Sequence, residues 1–537
     1  MGEPDLVIPR RFKIPEWVAV GGFFVLLLAV GLMIFKDYGV HRDEYHNQVF
    51  GQRWAKYSVE VLKAGSLGVA LPRYGHHDLC HGPAFEIFLA FLAEHLPSKN
   101  SRNILWMRHL SVFLLFYVGV IFFYFLCRRV LKSWRLALLG CALLVMSPRI
   151  FADAFYNSVD IAFLVFFTLG LFTLLRMLDK KTVGASAAHA FACAVLIDVR
   201  PLGVFLPILS TIFFLFEVFR LRVPQERWRA LITFLFFILS LGVLTVAFNP
   251  FLWSAPWTHL LEMIRFLRKL RLDWPMVYGG LGLTVRKMPW HYAPVWILVS
   301  TPILYGVFFL MGLFTAIRVL LKNTDGRSLT RRDAAVFLIS FFLPMLFSRG
   351  RLYNGWRHIY FIYPIFLILA LGGFQGLWKN SGLVLRKVLV VGIALSFLET
   401  AIFMIVNHPY QNLYFNRMGG ANAAEITRRF ELDYWGLTYR EALEYILKTD
   451  KDQRIPINFY QGPGGESLEI LSTMERKRLV LTTVDKAKYF LTEEMTKPYP
   501  SKGEEYYSVQ VNGVKVMVIY KLPPPEARPP AQVTPQP

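Results

Sequence analysis

Two adjacent carboxylates, Asp43 and Glu44, stand in 37-DYGVHRDEYHNQVFGQRW-54, directly after an apolar run, 17-WVAVGGFFVLLLAVGLMIFK-36, long enough to cross a bilayer. Similar groups recur where other apolar runs end. Asp153, Asn157 and Asp160 lie in 147-SPRIFADAFYNSVDIAF-163, Asp198 and Arg200 close a further run, and Arg349, Arg351, Arg357 and His358 fill 347-FSRGRLYNGWRHIYF-361. Ionisable groups at bilayer depth are costly, so they usually face a polar cavity and mark a site of function. Carboxylates converging with arginines suit displacement of an anionic leaving group by an alcohol. A phosphate leaves as a weakly basic anion and needs cations rather than a general acid. A hydroxyl is a poor nucleophile until a carboxylate accepts its proton. One base and a cationic clamp are the minimum.

Asp43 and Glu44 are the first candidates for the carboxylate, with Asp160 supporting them. Arg200, Arg357, His358, Arg286 and Lys287 are candidates for the phosphate. His41, His81, Asn157, Tyr353 and Asn354 are expected to line the cavity or meet the acceptor. The stretch 73-RYGHHDLCHGPAFE-86 offers His76, His77, Asp78, Cys80 and His81 as metal ligands. Its spacing fits no established zinc pattern, so a polar loop shaping the cavity is the first reading. Asp43 and Glu44 together can also hold a divalent ion, but successive residues diverge unless the backbone turns. No cofactor is otherwise required. The segment 262-EMIRFLRKLRL-272 reads as an amphipathic interfacial helix offering Arg265, Arg268, Lys269 and Arg271 to headgroups.

The elements that must position these groups are membrane spans. Of 537 residues, 55% are hydrophobic and 16% aromatic, the composition of a membrane protein. The formal charge of +22 comes mostly from short basic clusters between apolar runs, which favours a topology signal over nucleic-acid binding. Apolar runs near 16–36, 107–127, 134–150, 161–178, 183–199, 201–219, 230–249, 292–317, 334–348, 359–376 and 387–406 predict about 11 spans. The clusters Arg10/Arg11/Lys13, Arg128/Arg129/Lys132/Arg135, Arg176/Lys180/Lys181, Arg220/Arg222/Arg227/Arg229, Arg318/Lys322/Arg327/Arg331/Arg332 and Lys379/Arg386/Lys387 fall in every second loop. That pattern predicts a cytoplasmic N-terminus, an uncleaved anchor as first span, and candidate groups on the opposite face.

Residues 1–406 are therefore expected to form a transmembrane catalytic module with external loops 37–106 and 249–291. From 407 the composition turns soluble. A helix is expected at 438–448 and strands at 455–460, 478–483, 487–491 and 506–520, the last with an Asn512-Gly513 hairpin signal. Residues 407–521 read as a small extracytoplasmic α/β domain and 522–537 as a Pro-rich disordered tail.

The acidic pair after the first span, the Ser-Pro-Arg joint ending in Asp160, and 353-YNGWRHIYFIYP-364 together resemble the integral-membrane glycosyltransferases of the GT-C fold. More closely they resemble glycosyltransferase family 39, which includes protein O-mannosyltransferases and the bacterial aminoarabinose transferases. The resemblance covers roughly residues 15–405, while 408-HPYQNLYFNRMGG-420 and 431-ELDYWGLTYREA-442 look like a bacterial subgroup. It implies a polyprenyl-phosphate-linked sugar as donor and inverting transfer to a lipid, glycan or protein hydroxyl on the periplasmic or lumenal face. By motif, Asp43 matches the family's catalytic acid, Asp160 the second acid, and Arg357-His358 a pair near the lipid phosphate. Asp160-Ile161 stands where the family has Asp-Pro. The resemblance also implies membrane lipids as surroundings, no nucleic-acid partner, and a bacterial inner-membrane location. A flippase for a lipid-linked sugar and a glycan ligase are the alternatives. The first is disfavoured because the ionisable groups gather at one membrane face and no paired halves are evident.

Overall fold

The computed structural model describes residues 14–75, 79–270, 273–322, 329–460, 462–493 and 503–524. Arg10, Arg11, Lys13, His76, His77, Asp78, Arg271, Arg327 and the Pro-rich end from residue 525 lie outside the described residues.

The first apolar run is helical over Glu16–Ile34 (α1), with only Leu27 and Gly31 buried. Phe23, Phe24 and Leu28 pack partly against the core, while Val25, Leu26 and Met33 are exposed, an apolar face suited to lipid. Residues 37–106, expected as a loop, instead contain two further helices, α2 (Glu44–Ala64) and α3 (Ala84–Glu94), before α4 (Ser101–Leu131) enters the apolar core. In α2 the buried Phe50, Trp54, Tyr57 and Val61 recur at helical spacing. The helix ends at Gly65, whose φ of +58° provides a left-handed cap.

α5 (Trp134–Val145) and α6 (Pro148–Tyr156) meet at a 70° bend, where Pro148 opens α6 at a position that needs no N–H. α7 (Ser158–Lys180) and α8 (Val183–Val199) follow, then α9 (Phe205–Arg220) and α10 (Pro224–Phe248). α11 (Pro256–Lys269) is helical over most of the stretch 262–272 expected to be an amphipathic helix, and it starts six residues earlier. A small hairpin, β1 (Pro275–Tyr278) with β2 (Leu281–Thr284), precedes α12 (Tyr292–Val299), α13 (Ile303–Leu321), α14 (Arg331–Phe347), α15 (Tyr363–Asn380) and α16 (Leu383–Val406).

Among the described residues eight helices are long and apolar enough to span a membrane, or nine with the bent α5–α6 pair as one span. The other two expected crossings correspond to α8 and α14, each 17 residues, at the short end of what crosses a hydrocarbon core. The chain is a multi-pass integral membrane protein. α13 and α15 approach so closely that a Cβ on Gly312 would collide with the Leu369 carbonyl, and one on Gly373 with that of Phe308. Such small-residue contact is how helices pack where lipid removes the hydrophobic drive.

After α16 come α17 (Ala423–Arg429) and α18 (Tyr439–Thr449), then a five-stranded sheet. Its strands are β3 (Ile455–Phe459), β4 (Leu479–Leu481), β5 (Tyr489–Thr492), β6 (Glu504–Val511) and β7 (Val514–Lys521), ordered β4-β3-β5-β7-β6. The short helix α19 (Thr473–Arg478) leads into β4. β3 is parallel to β4 and β5, and β7 is antiparallel to β5 and β6. Asn512 and Gly513 both have positive φ (+50° and +77°), the conformation a two-residue hairpin turn demands. The β1–β2 hairpin is tied to this region by a bridge between Tyr278 and Phe430.

Candidate active site

Asp160 lies at the third position of α7, held by its own helix start. The Asn157 side chain accepts from the Asp160 amide at 3.1 Å and donates to the Asp160 carboxylate at 2.9 Å. A helix N-terminus favours a negative group there. The carboxylate meets two guanidinium groups: Arg200, which caps α8, bonds one oxygen, and Arg357 lies 3.3 Å from the other. Arg357 also reaches Asp43, at 3.5 Å. The structure thus brings Asp43 and Asp160, 117 positions apart in a chain numbered as in the sequence, to one buried arginine. Asp160 is shielded, whereas the Asp43 side chain is 44% exposed.

Arg357 is aimed inward by a turn in which Asn354 and Gly355 both have positive φ (+54° and +73°), and the neighbouring Trp356 is fixed by its indole N–H bond to Ser300 at 2.8 Å. Tyr353 packs at a tilt against His358, ring centres 4.5 Å apart, and lies 5.2 Å from the Arg357 guanidinium. Arg357, Arg200 and His81 face His358 closely enough to act on it electrostatically. Among the described residues, Arg357 Nε, Arg200 Nε and His358 Nδ1 are buried without a hydrogen-bond partner. Unmatched buried polar atoms of this kind are rare, and the two guanidinium N–H groups call for an acceptor. Arg286 and Lys287 are brought less close: both are exposed on the turn after β2, and neither is bonded to the Asp43–Arg357–Asp160 group among the described residues.

His41 orients Asp43 through the backbone. Burial pushes the imidazole below its ordinary value, against the pull of Glu44 and Asp43. The neutral ring accepts the Asp43 amide at Nδ1, 3.1 Å away, which leaves the proton on Nε2.

Glu44 parts from its neighbour. It is 1% exposed and sits in a second cluster, where His109 Nε2 reaches it at 3.3 Å and Arg108 at 3.7 Å. Arg108 also pairs with Glu86 at 2.9 Å, and Glu86 accepts from Ser158 at 2.5 Å. Glu44, expected beside Asp43 as a catalytic carboxylate, is enclosed at the first position of α2 and held there by Arg108 and His109. Burial alone would raise the Glu44 carboxyl, but His109, His41 and Arg108 outweigh it and hold it below the ordinary carboxylate range. A depressed folded value stabilises above the unfolded one and is lost as the pH falls through it. Melting temperature is therefore expected to drop on acidification below about pH 4.3, and less so in Glu44→Gln. Arg108→Met leaves two buried carboxylates facing each other and is expected to cost about 3–5 kcal/mol in chemical denaturation.

Sequence reasoning missed Glu86, Arg108, His109 and Trp435. Arg108 and His109 stand inside the run expected as a span, the same signal that singled out the joints. Trp435 had no local signal. Its indole lies 4.4 Å from the Arg357 guanidinium, its ring centre is 4.9 Å from His41, its N–H bonds Asp153 at 3.2 Å, and its carbonyl accepts the Arg42 amide. The C-terminal region thus supplies one wall of the site. Trp435→Ala is expected to lower activity up to about thirtyfold through loss of the aromatic face against Arg357. Trp435→Phe keeps that face but removes the indole N–H from Asp153, which Tyr156 and Tyr360 still face, so its loss is expected in stability, about 1 kcal/mol, more than in turnover. Asp198 also has a local duty, accepting the Ala84 amide at 2.8 Å, and a Cβ on Gly82 would collide with it.

No family model and no curated protein sequence matches the chain. Solved structures similar to it include ArnT from Cupriavidus metallidurans bound to undecaprenyl phosphate, at 16% identity over 93% of this chain and 98% of that one, TM-score 0.49. The oligosaccharyltransferase of Archaeoglobus fulgidus is similar at 10% identity over 85% of this chain and 64% of that one, TM-score 0.49. The arabinosyltransferase EmbB from Mycobacterium smegmatis is similar at 14% identity over 69% and 31%, TM-score 0.41.

Proposed function

We propose that the chain is an inverting glycosyltransferase of the GT-C type, moving a sugar from a polyprenyl-phosphate donor to a hydroxyl of a lipid, glycan or protein acceptor. The observation that supports it is the pairing of one accessible carboxylate, Asp43, with two arginines, Arg357 and Arg200, whose buried Nε–H groups have no hydrogen-bond partner among the described residues. In this reading Asp43 accepts the acceptor's proton as its oxygen attacks the anomeric carbon. The bond from that carbon to the phosphate oxygen breaks, and its electron pair leaves with the polyprenyl phosphate. Arg357 and Arg200 stabilise the departing charge, and Asp160 holds both arginines in place. Attack opposite the leaving group inverts the anomeric centre. No cofactor is needed in the reaction so written.

The site at the ends of spans fits a donor whose tail stays in lipid while its sugar reaches water. The basic-loop pattern supports an orientation with the site and the residues from 407 on the extracytoplasmic face, which in a bacterial inner membrane is the periplasm. Mass spectrometry of lipid and protein glycans tests the reading in a strain lacking the gene and complemented with wild type or Asp43→Asn. A sugar missing in the deletion and restored by wild type alone is expected; identical glycans in all three strains contradict it.

A further inference from the structure

A second polar cavity lies away from the Asp43 site, between the start of α4 and the C-terminal region. It has a volume of about 440 Å³ and is lined by Asn100, Arg102, Trp106, Ser472, Thr473 and Arg476, among others. That volume suits one polar headgroup.

Its chemistry is that of an anion site built on an amide- and hydroxyl-rich wall. The Asn100 side chain caps α4 by accepting from the Asn103 amide at 2.8 Å. The amides of Ser101 and Arg102, at the first two positions of a 31-residue helix, then have no partner within the helix, and the helix dipole adds positive potential there. Arg102 lies over the Trp106 ring at 5.2 Å, and Lys36, just past α1, over the same ring at 4.9 Å. Arg102 is only loosely paired, 3.5 Å from a half-exposed Glu475, so a more strongly charged anion can compete for it. Arg476 is paired with Glu469, whose carboxylate also lines the cavity and must give way to a bound anion, and Lys99 lines it as a further cation.

The cavity also has a fixed place. Ile470 packs with Leu105 of α4 and Val40 of the loop carrying Asp43, which sets the C-terminal wall against the span. Trp106 and Lys36 mark the membrane boundary, where indoles and basic side chains meet headgroups.

We infer that this cavity binds a phosphate-bearing polar headgroup at the membrane surface, separately from the Asp43 site. The phosphate meets Arg102, Arg476 and the first amides of α4, and the polar remainder lies along Ser472 and Thr473. The inference does not depend on the transfer reading.

The test uses the full chain in phosphatidylcholine nanodiscs. Two probes separate the sources of phosphate: soluble glucose 1-phosphate, followed by calorimetry, and phosphatidylglycerol doped into the disc, followed as retained lipid by native mass spectrometry. Wild type is expected to bind at least one probe, and Arg102→Gln/Arg476→Gln to bind it about tenfold more weakly. Thr473→Glu, at an exposed position, is expected to weaken the same probe by repulsion without disturbing the fold, while Asp43→Asn binds as wild type. If neither probe binds wild type, or if the charge variants bind as tightly as wild type, the cavity is only a solvated groove and the inference falls. Loss of sugar transfer with binding intact separates a failure of the catalytic reading from a failure of this one.

Discussion

Replacing Asp43 by Asn is expected to reduce sugar transfer about a thousandfold, within the range that a positioned general base contributes, while the protein still folds and inserts. The amide keeps the shape of the side chain but cannot take a proton from an alcohol. Because the Asp43 side chain is 44% exposed and its contact with Arg357 is 3.5 Å, the lost ion pair is expected to cost less than about 1 kcal/mol of stability. Steady-state transfer and a melting curve on the same preparation separate the two effects. A base role requires kcat to collapse with little change in KM for the donor, since Asp43 meets the acceptor rather than the phosphate.

Arg357→Lys should show the complementary pattern. Arg357 touches both Asp43 and Asp160, and its planar fork can hold two carboxylates while still offering Nε to a phosphate. A lysine ammonium has the charge without the fork. Activity is expected to fall about a hundredfold or more, as on removal of one preorganised donor to developing charge, with KM for the donor raised as well. Arg357→Met goes further: Asp160 keeps only Arg200, and stability is expected to fall by about 3 kcal/mol because a buried carboxylate loses half its compensation. Equal kinetics for Arg357→Lys and wild type would remove Arg357 from the phosphate role.

The membrane architecture was legible because long apolar runs carry one strong signal, and the separate joints stood out because charges interrupt those runs. Carboxylates from separate joints were expected to converge with arginines, and Asp43 and Asp160 both contact Arg357. The Asn512-Gly513 turn was legible from two residues, since few side chains tolerate successive positive φ.

Other features were hidden for identifiable reasons. α2 was read as loop because its charges cancel its apolar residues in an averaged window, although Phe50, Trp54, Tyr57 and Val61 carry the helical period. The bend between α5 and α6 turned an expected straight span into two helices, and Pro148 was its only mark in sequence. Glu44 could not be told from Asp43 by type or neighbourhood. Their fates differ because α2 begins between them, turning one toward Arg108 and His109 and the other toward Arg357. Trp435 reaches Asp153 across 282 positions, a contact that only the packed C-terminal region creates.

The most direct test follows a purified sample in lipid nanodiscs with a polyprenyl-phosphate sugar labelled at the anomeric carbon, reading product and released lipid by NMR. A new glycosidic bond of inverted configuration is expected, with free polyprenyl phosphate appearing in equal amount, and both about a thousandfold slower with Asp43→Asn. Retained configuration, or donor carried across the bilayer with its sugar–phosphate bond intact, would contradict it.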